Sequence, residues 1–127
     1  MAYVLIVDDE PDLATLLSDQ VNMLGHEAGV ARDGVEGVHM ALERRPDVVV
    51  TDVIMPNMDG AEMLQELRRR EETRDVPVIA LTALTDARTR ARLAALGVVG
   101  FLAKPYSMRE LGEVIEMAAA GRGTPLA

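Results

Sequence analysis

Five short apolar runs punctuate the chain, and between them apolar residues recur at helical spacing. That alternation restricts the fold more than any other feature. The runs are Tyr3–Val7, Glu27–Ala31, Val48–Thr51, Val78–Leu81 and Val99–Leu102. Each has the length of a strand, and most are too uniformly apolar to keep one face in water. Leu13, Leu16, Leu17, Val21 and Leu24 mark one helical stripe, and Val35, Val38 and Leu42 a second. Met63, Leu64 and Leu67 mark a third, and Leu111, Val114, Ile115 and Ala118 the last. Strands that alternate with helices and are apolar on both sides predict an α/β fold, a doubly wound five-stranded parallel sheet covered by five helices. Capping chemistry agrees. Asp33–Glu36, Asp59–Glu62 and Ser107–Glu110 have the spacing of a capping box, and Gly25 and Gly97 fall where helices end.

At 127 residues the chain has one domain's length, with no internal linker, repeat or low-complexity tract. Residues 1–120 are expected to form the domain and residues 121–127 a frayed C-terminal tail. Aromatic residues make up only 2%, so aliphatic side chains and Met must fill the core. No apolar run approaches the ~20 residues of a membrane span, and "MAYVLIV" lacks the basic start of a signal peptide. The absence of Cys excludes disulfides and thiolate metal sites and fits a reducing cytoplasm. A formal charge of −8 argues against direct binding to nucleic acid. These features predict a soluble, acidic, cytoplasmic domain with no membrane contact.

Right-handed crossovers put the C-terminal ends of all parallel strands on one edge of the sheet. Asp8 and Asp9 follow the first strand, Asp52 the third, Thr82 the fourth and Lys104 the fifth. With a strand order of 2-1-3-4-5, the chain reverses direction between the first and third strands, and ligands bind at that crevice. Three carboxylates, a hydroxyl and an ammonium thus converge. Carboxylates ~4 Å apart repel by roughly 4 kcal/mol at an effective dielectric of 20, and a hard divalent cation relieves this most directly. Mg²⁺ (or Mn²⁺) takes one or two carboxylates and keeps positions for water and phosphate oxygens. Lys104 and Thr82 suit phosphoryl oxygens as donors, and a carboxylate among them can form an aspartyl phosphate. Taken alone, Asp8 and Asp9 could equally cap the following helix.

These residues carry a family resemblance. "VDDEPD", "VVVTDVIMPNMDG", "VIALTA" and "GFLAKPY" match, in order and spacing, the motifs of the receiver domain of bacterial two-component response regulators, across Tyr3 to Ala119. The resemblance implies a flavodoxin-like receiver fold and the phosphoacceptor role for Asp52. It implies that Asp8, Asp9 and Asp52 hold the metal with the backbone carbonyl of Ile54, that Thr82 is the switch hydroxyl and that Lys104 is the invariant lysine. It further implies a cis Lys104–Pro105 bond and a sharp turn at Gly60. The phosphoryl donor would be a histidine kinase or phosphotransfer protein. The output would be a change in the face made by the fourth helix, fifth strand and fifth helix, read by a homodimer or a downstream partner. Such a domain is not an enzyme beyond its own phosphorylation and dephosphorylation.

One position departs from the pattern. The switch aromatic, often Tyr, is Phe101 here, and its ring has no hydroxyl to hydrogen-bond. Ile54 and Leu84, two residues after the phosphoacceptor and the switch hydroxyl, are both aliphatic and imply slow loss of the phosphoryl group. Elsewhere, His26 and His39 are far apart in a chain without Cys and are assigned no metal or phosphorelay role, and the Arg68–Arg70 run suits a helix C-terminus. Arg88, Arg90 and Arg92 read as a solvated helix face. Two other functions suit the same sheet. A flavodoxin-like carrier would need a Gly- or Ser/Thr-rich phosphate loop where "DDEPD" stands. An aspartyl-phosphate phosphatase would need a general acid at Ile54. No effector domain follows Ala119, so the chain is expected to be a stand-alone receiver or a piece of a longer regulator.

Overall fold

The computed structural model describes residues 1–53, 55, 57–82 and 87–121, apart from the side chains of Thr82 and Thr89. Strands β1 (Tyr3–Val7), β2 (Glu27–Ala31), β3 (Val48–Asp52), β4 (Val78–Thr82) and β5 (Gly100–Ala103) alternate with helices α1 (Pro11–Met23), α2 (Gly34–Glu43), α3 (Gly60–Arg69), α4 (Ala87–Ala95) and α5 (Met108–Ala119). All pairings are parallel, in the order β2-β1-β3-β4-β5. The expected fold class holds. Three strands end one residue later than their apolar runs, because the ladder pairs backbone groups whatever the side chain. Asp52 pairs with Leu81 and Thr82 with Ala103, while β5 starts at Gly100 rather than Val99.

The period-2 alternation of each strand divides the core between the two faces of the sheet. Leu5, Val7, Val49 and Val78 face α2 and α3, packing with Val38, Met63, Leu64 and Leu67. Val4, Ile6, Val50 and Ile79 face α1 and α5, packing with Leu17, Val21, Leu111 and Ile115. The stripes of α3 and α5 are buried as expected. Those of α1 and α2 are only partly so, since Leu13, Leu16 and Val35 are exposed. In α1 the sheet is met by Ala14, Leu17 and Val21, which leaves Leu13 and Leu16 on a flank.

The capping boxes of α3 and α5 are complete. That of α2 is half formed. Asp33 accepts the Glu36 N–H at 2.8 Å, but the Glu36 carboxylate turns away to Arg32, accepting its backbone N–H at 3.3 Å and pairing with its guanidinium at 3.1 Å. Gly25 and Gly97 close α1 and α4 with φ of +89° and +94°, a conformation that favours glycine. The arginine run does more than face a helix dipole. Half-buried Arg68 donates to the carbonyls of Val76 at 2.8 Å and Gly97 at 3.3 Å, tying α3 to the segments that flank β4 and β5. His26 is structural, its Nδ1 accepting the Ala2 N–H at 3.0 Å. Among the described residues no helix is long and apolar enough to cross a membrane.

Candidate functional site

Asp8 still belongs to the sheet at its backbone, where its N–H donates to the Ala31 carbonyl at 3.0 Å. Its side chain is only 3% exposed, and one oxygen accepts the Glu10 N–H at 2.9 Å. Part of the capping role therefore stands. Glu10 is the N-cap of α1 and makes no side-chain cap, and Asp8 secures the backbone of that residue from behind. Asp9 is exposed. Asp52 terminates β3, with Oδ1 accepting the Val53 N–H at 2.7 Å and Oδ2 lying 3.6 Å from Lys104 Nζ. Asp8, Asp9 and Asp52 each bring a carboxylate oxygen within 4.8 Å of the others.

Such a cluster is electrostatically unfavourable by itself. Burial pushes the Asp8 carboxyl above its ordinary pKa, and the charges of Asp52 and Asp9 add to this. The Glu10 N–H and the Lys104 ammonium oppose the rise. Two like charges at this spacing repel by about 3–4 kcal/mol at an effective dielectric of 20. A hard, oxygen-only donor set around a buried carboxylate fits a magnesium ion, since Mg²⁺ is held by few carboxylates and retains water. Asp8, Asp9 and Asp52 are the residues that would hold it.

Lys104 follows directly on β5, and the Lys104–Pro105 peptide is cis, as expected. Thr82 ends β4 beside Ala103, which puts its backbone at the same edge as Lys104. The Thr82 side chain, Ile54 and Leu84 lie outside the described residues. Gly60 has a different role from the expected turn. It opens α3, where a Cβ would come within 2.6 Å of the Asp52 carbonyl oxygen and 3.2 Å of the Val53 Cα. Only a residue without a side chain lets α3 dock directly on the backbone of Asp52. The left-handed conformation falls instead on Asn57, with φ of +65°, a residue type that tolerates it.

Phe101 is half-buried against the α2/α3 side of the core, and the Arg90 guanidinium lies 5.1 Å from its ring centroid. This pairing makes Arg90 more than a solvated charge. Three contributors escaped the reading of the sequence. Asn57 donates its amide to Asp33 at 2.9 Å, linking the loop after Asp52 to the start of α2. Tyr106 donates its hydroxyl to Gln20 at 3.0 Å, bridging the segment after Lys104 to α1. Arg90 is the third. Only Asn57 had a local signal, its place in the turn-prone stretch "PNMDG" just before the Asp59 helix cap.

The response regulator receiver domain model matches residues 4–116, and the chain belongs to that family, the receivers of two-component systems. It is 35% identical over 111 residues, 87% of its length, to the DNA-binding dual master transcriptional regulator RpaA of Synechocystis, of which it covers 46%. It spans less than half the length of the curated transcriptional regulators that it matches. Among solved structures it resembles the chemotaxis protein CheY4 of Vibrio cholerae, with a TM-score of 0.88 and 31% identity, covering 93% of this chain and 98% of that one. It also resembles the receiver domain of a sensor histidine kinase from Pseudomonas aeruginosa, with a TM-score of 0.87 and 30% identity, covering 94% and 98%. That structure has a magnesium ion coordinated in its active-site cleft.

Proposed function

We propose that Asp52 accepts a phosphoryl group from the phosphohistidine of a histidine kinase or phosphotransfer protein. The observation that carries this is the placement of Asp52 between the Asp8–Asp9 pair and Lys104, at 3.6 Å from the ammonium. The carboxylate of Asp52 attacks phosphorus in line, and the imidazole nitrogen leaves. Lys104 binds one phosphoryl oxygen and the Thr82 hydroxyl another. Magnesium held by Asp8, Asp9, Asp52 and the Ile54 carbonyl supplies the positive charge that this crowd of anions needs. Mn²⁺ suits the same donors.

The chain catalyses nothing beyond its own phosphorylation and dephosphorylation, and it works in the cytoplasm. Phosphorylation draws Thr82 toward the phosphoryl group and Phe101 inward, which shifts the population of the α4–β5–α5 face. A second copy or a downstream protein reads that face. Nucleic acid is not contacted directly, in keeping with the charge of −8. Ile54 and Leu84 offer an attacking water no hydrogen bond, so the phosphoryl group is lost slowly. Ile54→Asn and Leu84→Glu should each speed its decay, and unchanged decay in both would remove that part of the proposal.

The test of the main proposal is mass spectrometry after incubation with acetyl phosphate and Mg²⁺. The wild-type chain gains one phosphoryl group, whereas Asp52→Asn, or wild type in chelator, gains none. Full labelling of Asp52→Asn would falsify the assignment.

A further inference from the structure

Residues 31–34, where β2 passes into α2, are hydrogen-bonded to both chain segments that build the carboxylate cluster. On one side the Ala31 carbonyl accepts the Asp8 N–H at 3.0 Å. On the other, the segment between β3 and α3 lies against Asp33 and Gly34. Asn57 donates its amide to Asp33 Oδ2 at 2.9 Å, and the Gly34 N–H donates to the Met58 carbonyl at 3.1 Å. A Cβ at Gly34 would run into that carbonyl, so glycine is what lets the two segments touch. Asn57 reaches Asp33 from the left-handed conformation, with φ of +65°, which Gly, Asn and Asp adopt more readily than other residues. Asp33 divides its two oxygens. Oδ1 caps α2 through the Glu36 N–H, and the helix has no use for Oδ2. A close backbone approach, a left-handed residue and a side-chain bond thus meet at one point, five residues after Asp52.

We propose that Asn57 and Asp33 are positioning residues, a latch that holds Asp52 in the orientation from which it attacks phosphorus. The inference rests on Asp52 being the phosphoacceptor. Neither residue belongs to the carboxylate cluster, and both act through the backbone that follows Asp52. The Val53 N–H donates to Asp52 Oδ1 at 2.7 Å, which leaves Oδ2 turned to Lys104 at 3.6 Å. The direction of that N–H therefore decides which oxygen faces the ammonium. Val53 is held in turn through its carbonyl, which accepts the Gly60 N–H at 2.8 Å. Further along, Met55 is buried in the core, and Asn57 and Met58 are fastened to the start of α2. Freed at Asn57, the segment can rotate at Val53 and carry the carboxylate with it, and in-line transfer is sensitive to small errors of placement.

The experiment measures Asp52 labelling by acetyl phosphate in saturating Mg²⁺, as a maximal rate and a half-saturating donor concentration for each variant. Asn57→Gly keeps the left-handed backbone and removes only the amide. A hydrogen bond of this kind is worth about fivefold in the closed population, so the maximal rate should fall roughly two- to fivefold. Half-saturation should not move, because neither residue meets the donor. Asn57→Asp sets a second carboxylate against Asp33 and should lower the rate further. The double variant Asp33→Asn with Asn57→Asp exchanges donor and acceptor, keeps a capping residue at the start of α2 and should restore most of the rate. Asp47→Ala, which breaks a 2.7 Å bond from the Tyr3 N–H at the opposite end of the sheet, should lower stability and leave the maximal rate unchanged. Wild-type rates in both single variants at Asn57 overturn the latch and leave the phosphoacceptor reading intact. A fall that the double variant does not reverse overturns the pairing of Asn57 with Asp33. Failure of the wild-type chain to label overturns both readings together.

Discussion

Val4, Leu5, Ile6 and Val7 of β1 are buried, and so is Asp8, the next residue. For the four aliphatic side chains, burial stabilises the fold by roughly 1.5–3 kcal/mol each. For Asp8 it disfavours the charged form, and the neighbouring carboxylates of Asp52 and Asp9 make matters worse. One strand thus carries both signs within five residues. The strand interiors hold the domain together, and their C-terminal ends place groups that the domain would be more stable without. This division separates the part of the sequence that serves folding from the part that serves chemistry.

The largest effect should come from the folding side. Leu64 of α3 is fully buried, and Leu64→Ala should cost about 2–5 kcal/mol of stability, measured by denaturant unfolding. Magnesium should still raise the melting temperature of whatever remains folded. Gly60→Ala strikes where the two regions meet. Its Cβ would lie 2.6 Å from the Asp52 carbonyl oxygen, so α3 must move or Asp52 must. A loss of about 1–3 kcal/mol should accompany a fall in Asp52 labelling of roughly tenfold or more, because transfer depends on position. Unchanged labelling would mean that α3 docking does not set the geometry of Asp52.

Helix caps should have the smallest effects. Asp59→Ala removes a complete capping box and should cost about 1 kcal/mol. Asp33→Ala removes a cap and the Asn57 bond, and its effect should depend on pH. The Glu36 N–H, with help from Asn57, holds the Asp33 carboxyl below its ordinary 3.8. A depressed folded-state pKa contributes stability that is present above the unfolded value and is lost as pH falls through the folded one. The gap between wild type and Asp33→Ala should therefore be constant near neutrality and narrow only below about pH 4. A gap that widens in acid would assign the cap to some other group.

The folding side was legible because periodicity reports burial directly. Five apolar runs and four stripes gave a parallel sheet covered by helices, and right-handed crossovers then carried Asp8, Asp9, Asp52 and Lys104 to one edge. The order β2-β1-β3-β4-β5 comes from the structure. What escaped depends on distances that no local pattern encodes. The apolar stripe of α1 includes Leu13 and Leu16 as readily as Leu17, and spacing does not say which of them the sheet covers. Capping-box spacing at Asp33–Glu36 did not reveal that Arg32 would draw the Glu36 carboxylate away. Arg68 bonds two carbonyls, one of them 29 residues distant in sequence, and Gly60 reads as a turn glycine until the Asp52 carbonyl is placed against it.

Melting curves with and without Mg²⁺, on wild type and Asp8→Asn, test most directly whether the strand ends form a metal-dependent site held at the expense of stability. At about ten times Kd, magnesium should stabilise wild type by roughly 1.4 kcal/mol, or ~5 °C for a domain of this size. Asp8→Asn should melt higher than wild type in chelator and show no response to magnesium. A wild-type curve indifferent to Mg²⁺, or an Asp8→Asn chain destabilised like a core truncation, would contradict it.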